Sequence, residues 1–218
     1  SGKPARIPLA SPANKQGRIA ADNAAGLNSV YKGSQGTSIL KIFNLTAART
    51  GANERTLQRL NMPYRTIFLH PNSHAGYYPD ALPMTIKLIF NDEGKVLGSQ
   101  IIGYDGVDKR IDVIAAVIRL KGTVNDLAEL ELAYAPPYSS AKDPVNMAGF
   151  MAQNILNGMT SAITPSQFKA MDKDDYILLD VRTEEEFENG HVDGAVNIPV
   201  DSLRDRLHEL DKGKAIIE

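Results

Sequence analysis

Cysteine is absent from the 218 residues. That excludes disulfides, thiolate metal sites and a cysteine nucleophile within this chain. Blocks of like charge are absent too, and the net charge is -2. A nucleic-acid groove or a polybasic membrane surface is therefore not expected. No apolar run is long enough to span a bilayer; the best candidate, residues 111–120, is short and carries Asp112 and Arg119. The first residues lack the apolar core of a signal peptide. These absences predict a cytoplasmic chain with no nucleic-acid and no membrane partner. There is no internal repeat and no low-complexity tract. What is present is a 43% apolar fraction, enough for a packed core, in a length that suits one large domain or two modest ones.

Residues 1–10 read as an extended lead-in. Ser11-Pro12 then reads as a helix start, with Ser11 as N-cap and Pro12 at the first helical position. The helix runs to about Gly26 and is rich in alanine, which fits either close packing against another layer or plain helix propensity. From Thr37 to Gly103 the pattern is that of strands at 38–43, 45–49, 64–69, 84–90 and 95–103, with a helix at 53–60. Met84, Ile86, Leu88 and Phe90 alternate onto one face, and Asn91-Asp92-Glu93-Gly94 is a turn signal. So many strands in short order predict an antiparallel sheet. Helices follow at 107–120, 125–132 and 143–156, the last with Asp143-Pro144 as cap and first residue. Ala135-Pro136-Pro137 is excluded from a helix interior and predicts a stiff, extended segment between Tyr134 and Tyr138.

Residues 157–164 are the best linker. Beyond them come a buried strand at 176–181, a helix at 183–189, a short strand at 195–198, a helix at 201–210 and a strand beginning at Lys214. Strand and helix alternate, which predicts a parallel α/β sheet. A sheet that stops inside its third strand reads as an incomplete domain. The predicted fold class is thus an α+β domain, an antiparallel sheet with helices, followed by a truncated α/β domain.

Three segments carry a family resemblance. Pro8-Leu9-Ala10-Ser11-Pro12-Ala13-Asn14-Lys15-Gln16-Gly17-Arg18 resembles the end of the FAD domain in coenzyme A disulfide reductases and NADH oxidases or peroxidases. Gly106-Val107-Asp108-Lys109-Arg110-Ile111-Asp112 and Tyr134-Ala135-Pro136-Pro137-Tyr138-Ser139-Ser140-Ala141-Lys142-Asp143-Pro144-Val145-Asn146 resemble the dimerisation domain of the same family. In the second unit, Leu179-Asp180-Val181-Arg182, Glu185-Glu186-Phe187, Gly190-His191, Gly194-Ala195 and Asn197-Ile198-Pro199 follow the order of a rhodanese domain. The resemblance divides the chain into 1–36 as the end of a FAD-binding domain, 37–156 as the dimerisation domain and 164–218 as the N-terminal part of a rhodanese-like domain. It implies a homodimeric parent enzyme that uses FAD and NAD(P)H to reduce a disulfide, persulfide or polysulfide of a small thiol such as coenzyme A. The Gly-rich dinucleotide motifs of that family are not in these residues. The chain alone is therefore expected to hold no cofactor and to be inactive in reduction and sulfur transfer. The alternative is a non-catalytic homodimerisation or interaction module.

The resemblance also selects site residues. Tyr77 and Tyr134 match tyrosines that reach the other subunit's active-site cysteine in relatives. A phenol with a reference pKa of about 10 stays protonated and can donate to a departing thiolate. The competing reading is packing. Tyr78 and Tyr138 are weaker candidates for the same role. Leu9 and Ala10, with the helix turn after them, are the flavin candidates, because unpaired N–H groups at a helix start suit flavin carbonyls. His70 and His74 have helical metal-pair spacing, but Pro71 argues against a helix and no third ligand is near, so no metal is expected. Lys109 and Arg110 read as a solvated helix face rather than a phosphate site. Asp180, Arg182 and His191 read as braces of the sheet, since there is no cysteine for them to activate.

Overall fold

The computed structural model describes residues 6–218, apart from the side chains of Pro165 and Ser166. The chain forms two compact units, Ser1–Ala162 and Ile163–Glu218.

The first unit opens with helix α1 (Ala10–Ala24). Its N-cap is Leu9, not Ser11. The first four N–H groups of a helix have no internal partner, so Pro12 is tolerated anywhere in the first turn and Ala10 joins the helix. None of its residues is buried within the unit; the alanines act here as helix formers rather than as a packing surface. Strands β1 (Ser38–Ile42), β2 (Leu45–Gly51), β3 (Arg65–Leu69), β4 (Met84–Phe90) and β5 (Val96–Gly103) follow, with the short helix α2 (Glu54–Arg59) between β2 and β3. They make an antiparallel sheet in the order β1-β2-β5-β4-β3. The β1–β2 hairpin turns at Phe43 and Asn44, where Phe43 takes a left-handed φ of 51 and is 94% exposed.

The alternation read from β4 is the core. Met84, Ile86, Leu88 and Phe90 are all buried, as are Ile101 and Ala48 beside them. Helix α3 (Val107–Arg119) covers this face with Val107, Ile111, Ile114 and Val117, a stripe at helical spacing. Helices α4 (Val124–Glu129) and α5 (Pro144–Leu156) complete the layer. They approach closely because Gly149 has no side chain: a Cβ there would lie 2.5 Å from the Ala128 nitrogen. Asn146, buried between them, donates from Nδ2 to the carbonyls of Leu127 and Leu130 at 3.1 and 2.9 Å, so the end of α4 is satisfied by a side chain of α5. On the opposite sheet face, Leu40, Ala47 and Ile102 stand in register across β1, β2 and β5, and Leu40 and Ile102 are exposed.

The second unit is a three-stranded parallel sheet, β7-β6-β8, as the strand–helix alternation predicts. Helix α6 (Pro165–Ala170) precedes β6 (Tyr176–Asp180); α7 (Glu184–Glu188), β7 (Val196–Asn197), α8 (Val200–Arg206) and β8 (Ala215–Ile217) follow. Thr183 and Glu186 form a capping box at α7. The core is small: Leu179, Ile198 and Leu210 are buried, with Ile177, Val181 and Leu203 against them.

Candidate functional site

Tyr77 and Tyr134 are 57 positions apart, yet their hydroxyls meet at 3.0 Å. Each phenol is on a loop and open to solvent, 77% and 47% exposed respectively. Tyr77 belongs to the loop from β3 to β4, which closes on itself. The Ser73 amide donates to the Leu82 carbonyl at 2.8 Å, and the Leu82 amide donates back to the Ser73 hydroxyl at 3.1 Å. His74 is buried there, edge-on to Tyr78 with ring centres 5.7 Å apart. Tyr134 precedes Ala135-Pro136-Pro137. That segment is not extended as expected: Tyr138 and Ser139 both donate their amides to the Ala135 carbonyl, at 2.9 and 3.1 Å, which makes a turn. The fixed φ of proline suits a turn as well as an extended run, and the turn brings Ser139 back over the loop. The Ala75 amide then donates to the Ser139 carbonyl at 3.1 Å, joining the two tyrosine-bearing loops. The hydroxyl contact with Tyr77 raises the Tyr134 phenol from its ordinary value, as it does when Tyr134 is the donor, and desolvation adds to it. Tyr134 therefore stays a donor through neutral pH.

Behind the pair lies Arg110, and here the sequence reading is corrected. Arg110 is 1% exposed, not part of a solvated face. Its Nη2 donates to the Ser73 carbonyl at 2.8 Å, the Ser139 hydroxyl at 3.2 Å and the Asp143 carboxylate at 3.1 Å. Its Nη1 donates to the Gly106 carbonyl at 3.2 Å. Gly106 has a φ of +68, and a Cβ there would sit 2.1 Å from the guanidinium, so both backbone and space favour glycine. Burial on its own would raise the Asp143 carboxyl. Hydrogen bonds from Ser139 and the Val145 amide, with the Arg110 charge, outweigh it and hold the carboxyl below its usual value. Lys109 stays partly exposed, with Nζ 3.7 Å from Asp143. The missed signal was positional: Arg110 falls at the spacing of Val107, Ile111, Ile114 and Val117, inside the apolar stripe of α3.

Leu9 and Ala10 stand at the start of α1, where Leu9 is extended and no side chain caps the first turn among the described residues. That turn contains no acidic residue. Uncapped N–H groups at the positive end of a 15-residue helix are compatible with an electron-rich carbonyl group. The turn borders a cleft of about 710 Å³, lined also by Lys15, Arg18 and Arg119. This cleft does not include the phenol pair.

His70 is exposed, with Nδ1 3.0 Å from the Thr85 hydroxyl, while His74 is buried with Nδ1 3.2 Å from the Ala75 carbonyl. In the second unit Arg182 pairs with Asp180 and donates to the Gly190 carbonyl at 2.9 Å, and His191 stacks on Phe187 at 3.7 Å. The Asn197 amide group donates to the carbonyls of Asp180 and Arg182 at 3.0 and 2.9 Å. These contacts tie the end of β6 to α7 and β7, and they border a cleft of about 690 Å³ that Glu218 also lines.

Comparison with known proteins follows the same division. Residues 37–144 match the pyridine nucleotide-disulphide oxidoreductase dimerisation domain, and residues 164–217 match the rhodanese-like domain. The coenzyme A disulfide reductase of Staphylococcus epidermidis is 39% identical over 152 residues, 69% of this chain and 34% of that protein. The chain thus spans about a third of the length of the curated relatives it matches. Among solved structures, reduced Bacillus anthracis CoADR-RHD is 51% identical with a TM-score of 0.94, covering 99% of this chain and 39% of that one. The NAD-dependent persulfide reductase from A. fulgidus is 38% identical with a TM-score of 0.89, at the same coverages. No helix among the described residues is long and apolar enough to cross a membrane.

Proposed function

From a chain that belongs to the pyridine nucleotide-disulphide oxidoreductases through its dimerisation domain and carries a rhodanese-like domain after it, we propose that these residues serve a FAD- and NAD(P)H-dependent reductase of coenzyme A disulfide or of a related small-thiol persulfide or polysulfide. In this reading residues 1–36 end the flavin domain, 37–156 form a cytoplasmic homodimer's interface domain, and 164–218 are the N-terminal part of a rhodanese-like domain whose complete form handles sulfane sulfur. The exposed stripe of Leu40 and Ile102 gives the sheet an apolar face suited to a second copy.

The observation that carries the reading is the Tyr77–Tyr134 hydroxyl pair. A flavin in such enzymes supplies hydride acceptance from NAD(P)H and delivery of an electron pair to a disulfide. The present residues handle the other end of that chemistry. When a sulfur–sulfur bond is cleaved reductively, one sulfur leaves as a thiolate and needs a proton or a hydrogen-bond donor. Two linked phenols give one hydroxyl whose donor is oriented by the other. Neither phenol competes as a nucleophile, and the chain contains no thiol that does. Leu9 and Ala10 would face the flavin from the start of α1.

The test is NAD(P)H-dependent reduction of coenzyme A disulfide by the flavoenzyme that contains this chain, with Tyr77→Phe, Tyr134→Phe and the double variant. Loss of one charge-assisted donor slows the reductive step roughly ten- to a hundredfold. Because the hydroxyls act as a linked pair, the double variant falls no further than the worse single one. Dimeric variants that turn over at the parent rate would return the tyrosines to packing and leave a self-association module.

A further inference from the structure

Among the described residues each phenol's hydroxyl bonds only to the other, and the two loops meet through the backbone at Ala75 and Ser139. Tyr77 and Tyr134 are exposed and lie on separate loops, yet their hydroxyls are within hydrogen-bonding distance. The only side chain that both loops share in hydrogen bonding, among the described residues, is that of Arg110. It binds the Ser73 carbonyl of the first loop, and the Ser139 hydroxyl, the Tyr138 carbonyl (3.5 Å) and Asp143 at the end of the second. Ser139 donates in turn to Asp143 at 2.6 Å. The guanidinium is planar and branched, so one side chain can hold α3, through the Gly106 carbonyl, and both loops at fixed angles. A lysine in its place offers a single nitrogen and cannot span the same acceptors. Of the other ionisable groups, Lys109 on α3 comes within 3.7 Å of Asp143, and His74, next to Ser73 in the chain, packs against Tyr78.

We infer that Arg110, through Ser139 and Asp143, is a positioning residue that sets the distance between the Tyr77 and Tyr134 hydroxyls. It touches neither phenol's oxygen; it fixes the two loops that carry them. Its effect on turnover rests on the reductase reading above, whereas its effect on the phenol pair does not.

The experiment uses the chain with ¹³C-labelled tyrosine and follows each ring's Cζ through an alkaline titration. In the parent chain Tyr134 titrates later than it does in Tyr77→Phe, because the hydroxyl contact holds its proton. Arg110→Lys and Ser139→Ala remove that delay while the sheet's amide spectrum is unchanged. Ile101→Val, a loss of one core methylene away from the loops, keeps it. Should Arg110→Lys fail to fold, Ser139→Ala decides alone. A delay that survives in the folded variants overturns the inference, as does a parent chain in which Tyr134 titrates as in Tyr77→Phe. In the flavoenzyme, Arg110→Lys lowers kcat roughly ten- to a hundredfold, since small misplacements of a reacting group have effects of that order. If Tyr77→Phe and Arg110→Lys both leave turnover unchanged while Arg110→Lys removes the delay, the positioning role stands and the reductase reading fails.

Discussion

Asp143→Asn separates the charge of the Arg110 network from its geometry. Asp143 is 2% exposed and does two things. One carboxylate oxygen accepts from the Val145 amide at 2.9 Å and caps α5. The other accepts from Ser139 at 2.6 Å and from Arg110 at 3.1 Å. Asparagine keeps the cap but withdraws the counter-charge from a guanidinium that is itself buried. The Arg110 Nε already lacks a partner in the interior, so the group has little reserve. Breaking a buried pair from one side costs roughly 3–5 kcal/mol. That is a large share of the 5–15 kcal/mol or so that stabilises a typical domain. The assay is urea denaturation at neutral pH followed through the methyl resonances of Ile86 and Ile101, which belong to the first unit's core alone. The pH dependence supplies a second readout. The folded carboxyl lies below its unfolded value, so its contribution is complete above the ordinary carboxylate range and is lost as pH falls through the lowered value. Asp143→Asn loses that part of the acid limb. A double variant, Arg110→Met with Asp143→Asn, recovers part of the loss, because the α5 cap is kept and no buried charge is left unpaired. A loss below about 1 kcal/mol in Asp143→Asn, or an acid limb identical to the parent's, would refute the reasoning.

Two further outcomes follow from packing. Gly149→Ala places a methyl 2.5 Å from the Ala128 nitrogen and 2.9 Å from the Val124 carbonyl, and should destabilise the first unit by about 1–3 kcal/mol in thermal melts; an unchanged melting temperature would show that α4 and α5 can part freely. Amide hydrogen exchange should be faster across β6–β8 than across β4 and β5, since the second unit's core has three buried apolar side chains against a far larger cluster in the first; equal protection would mean that core size does not set the order of opening.

Much of the fold was legible because it is local. The period-2 run in β4, the Asn91–Gly94 turn and the Asp143-Pro144 helix start each state their structure within a few residues. The alternation of strand and helix after residue 164 gave the parallel sheet for the same reason. The phenols were legible only as residues of a matching motif; their meeting at 3.0 Å depends on two loops whose approach no local pattern encodes. Arg110 was misread because Asp108-Lys109-Arg110 looks like a charged surface when taken as a run. On the helix, every third or fourth residue shares a face, and Arg110 shares its face with Val107, Ile111 and Ile114. The Ser-Pro pair does not mark the cap because it is also acceptable two positions further in, where Pro12 still lies in the first turn and forfeits no hydrogen bond.

The order of strands also dictates how the sheet can assemble. β1 with β2, and β4 with β5, are neighbours along the chain and join through tight turns. The seam between β2 and β5 is different: it pairs Thr46 with Gly103 and Gly51 with Gly98, and so closes a loop of roughly fifty residues whose lost freedom must be met before the pairing returns anything. Two preformed hairpins meeting edge to edge, rather than a sheet growing strand by strand, is the route with the smallest entropic barrier. Gly98 stands at that seam, where a Cβ would lie 1.9 Å from the Ala52 carbonyl oxygen, so the close approach of the two hairpins there requires glycine.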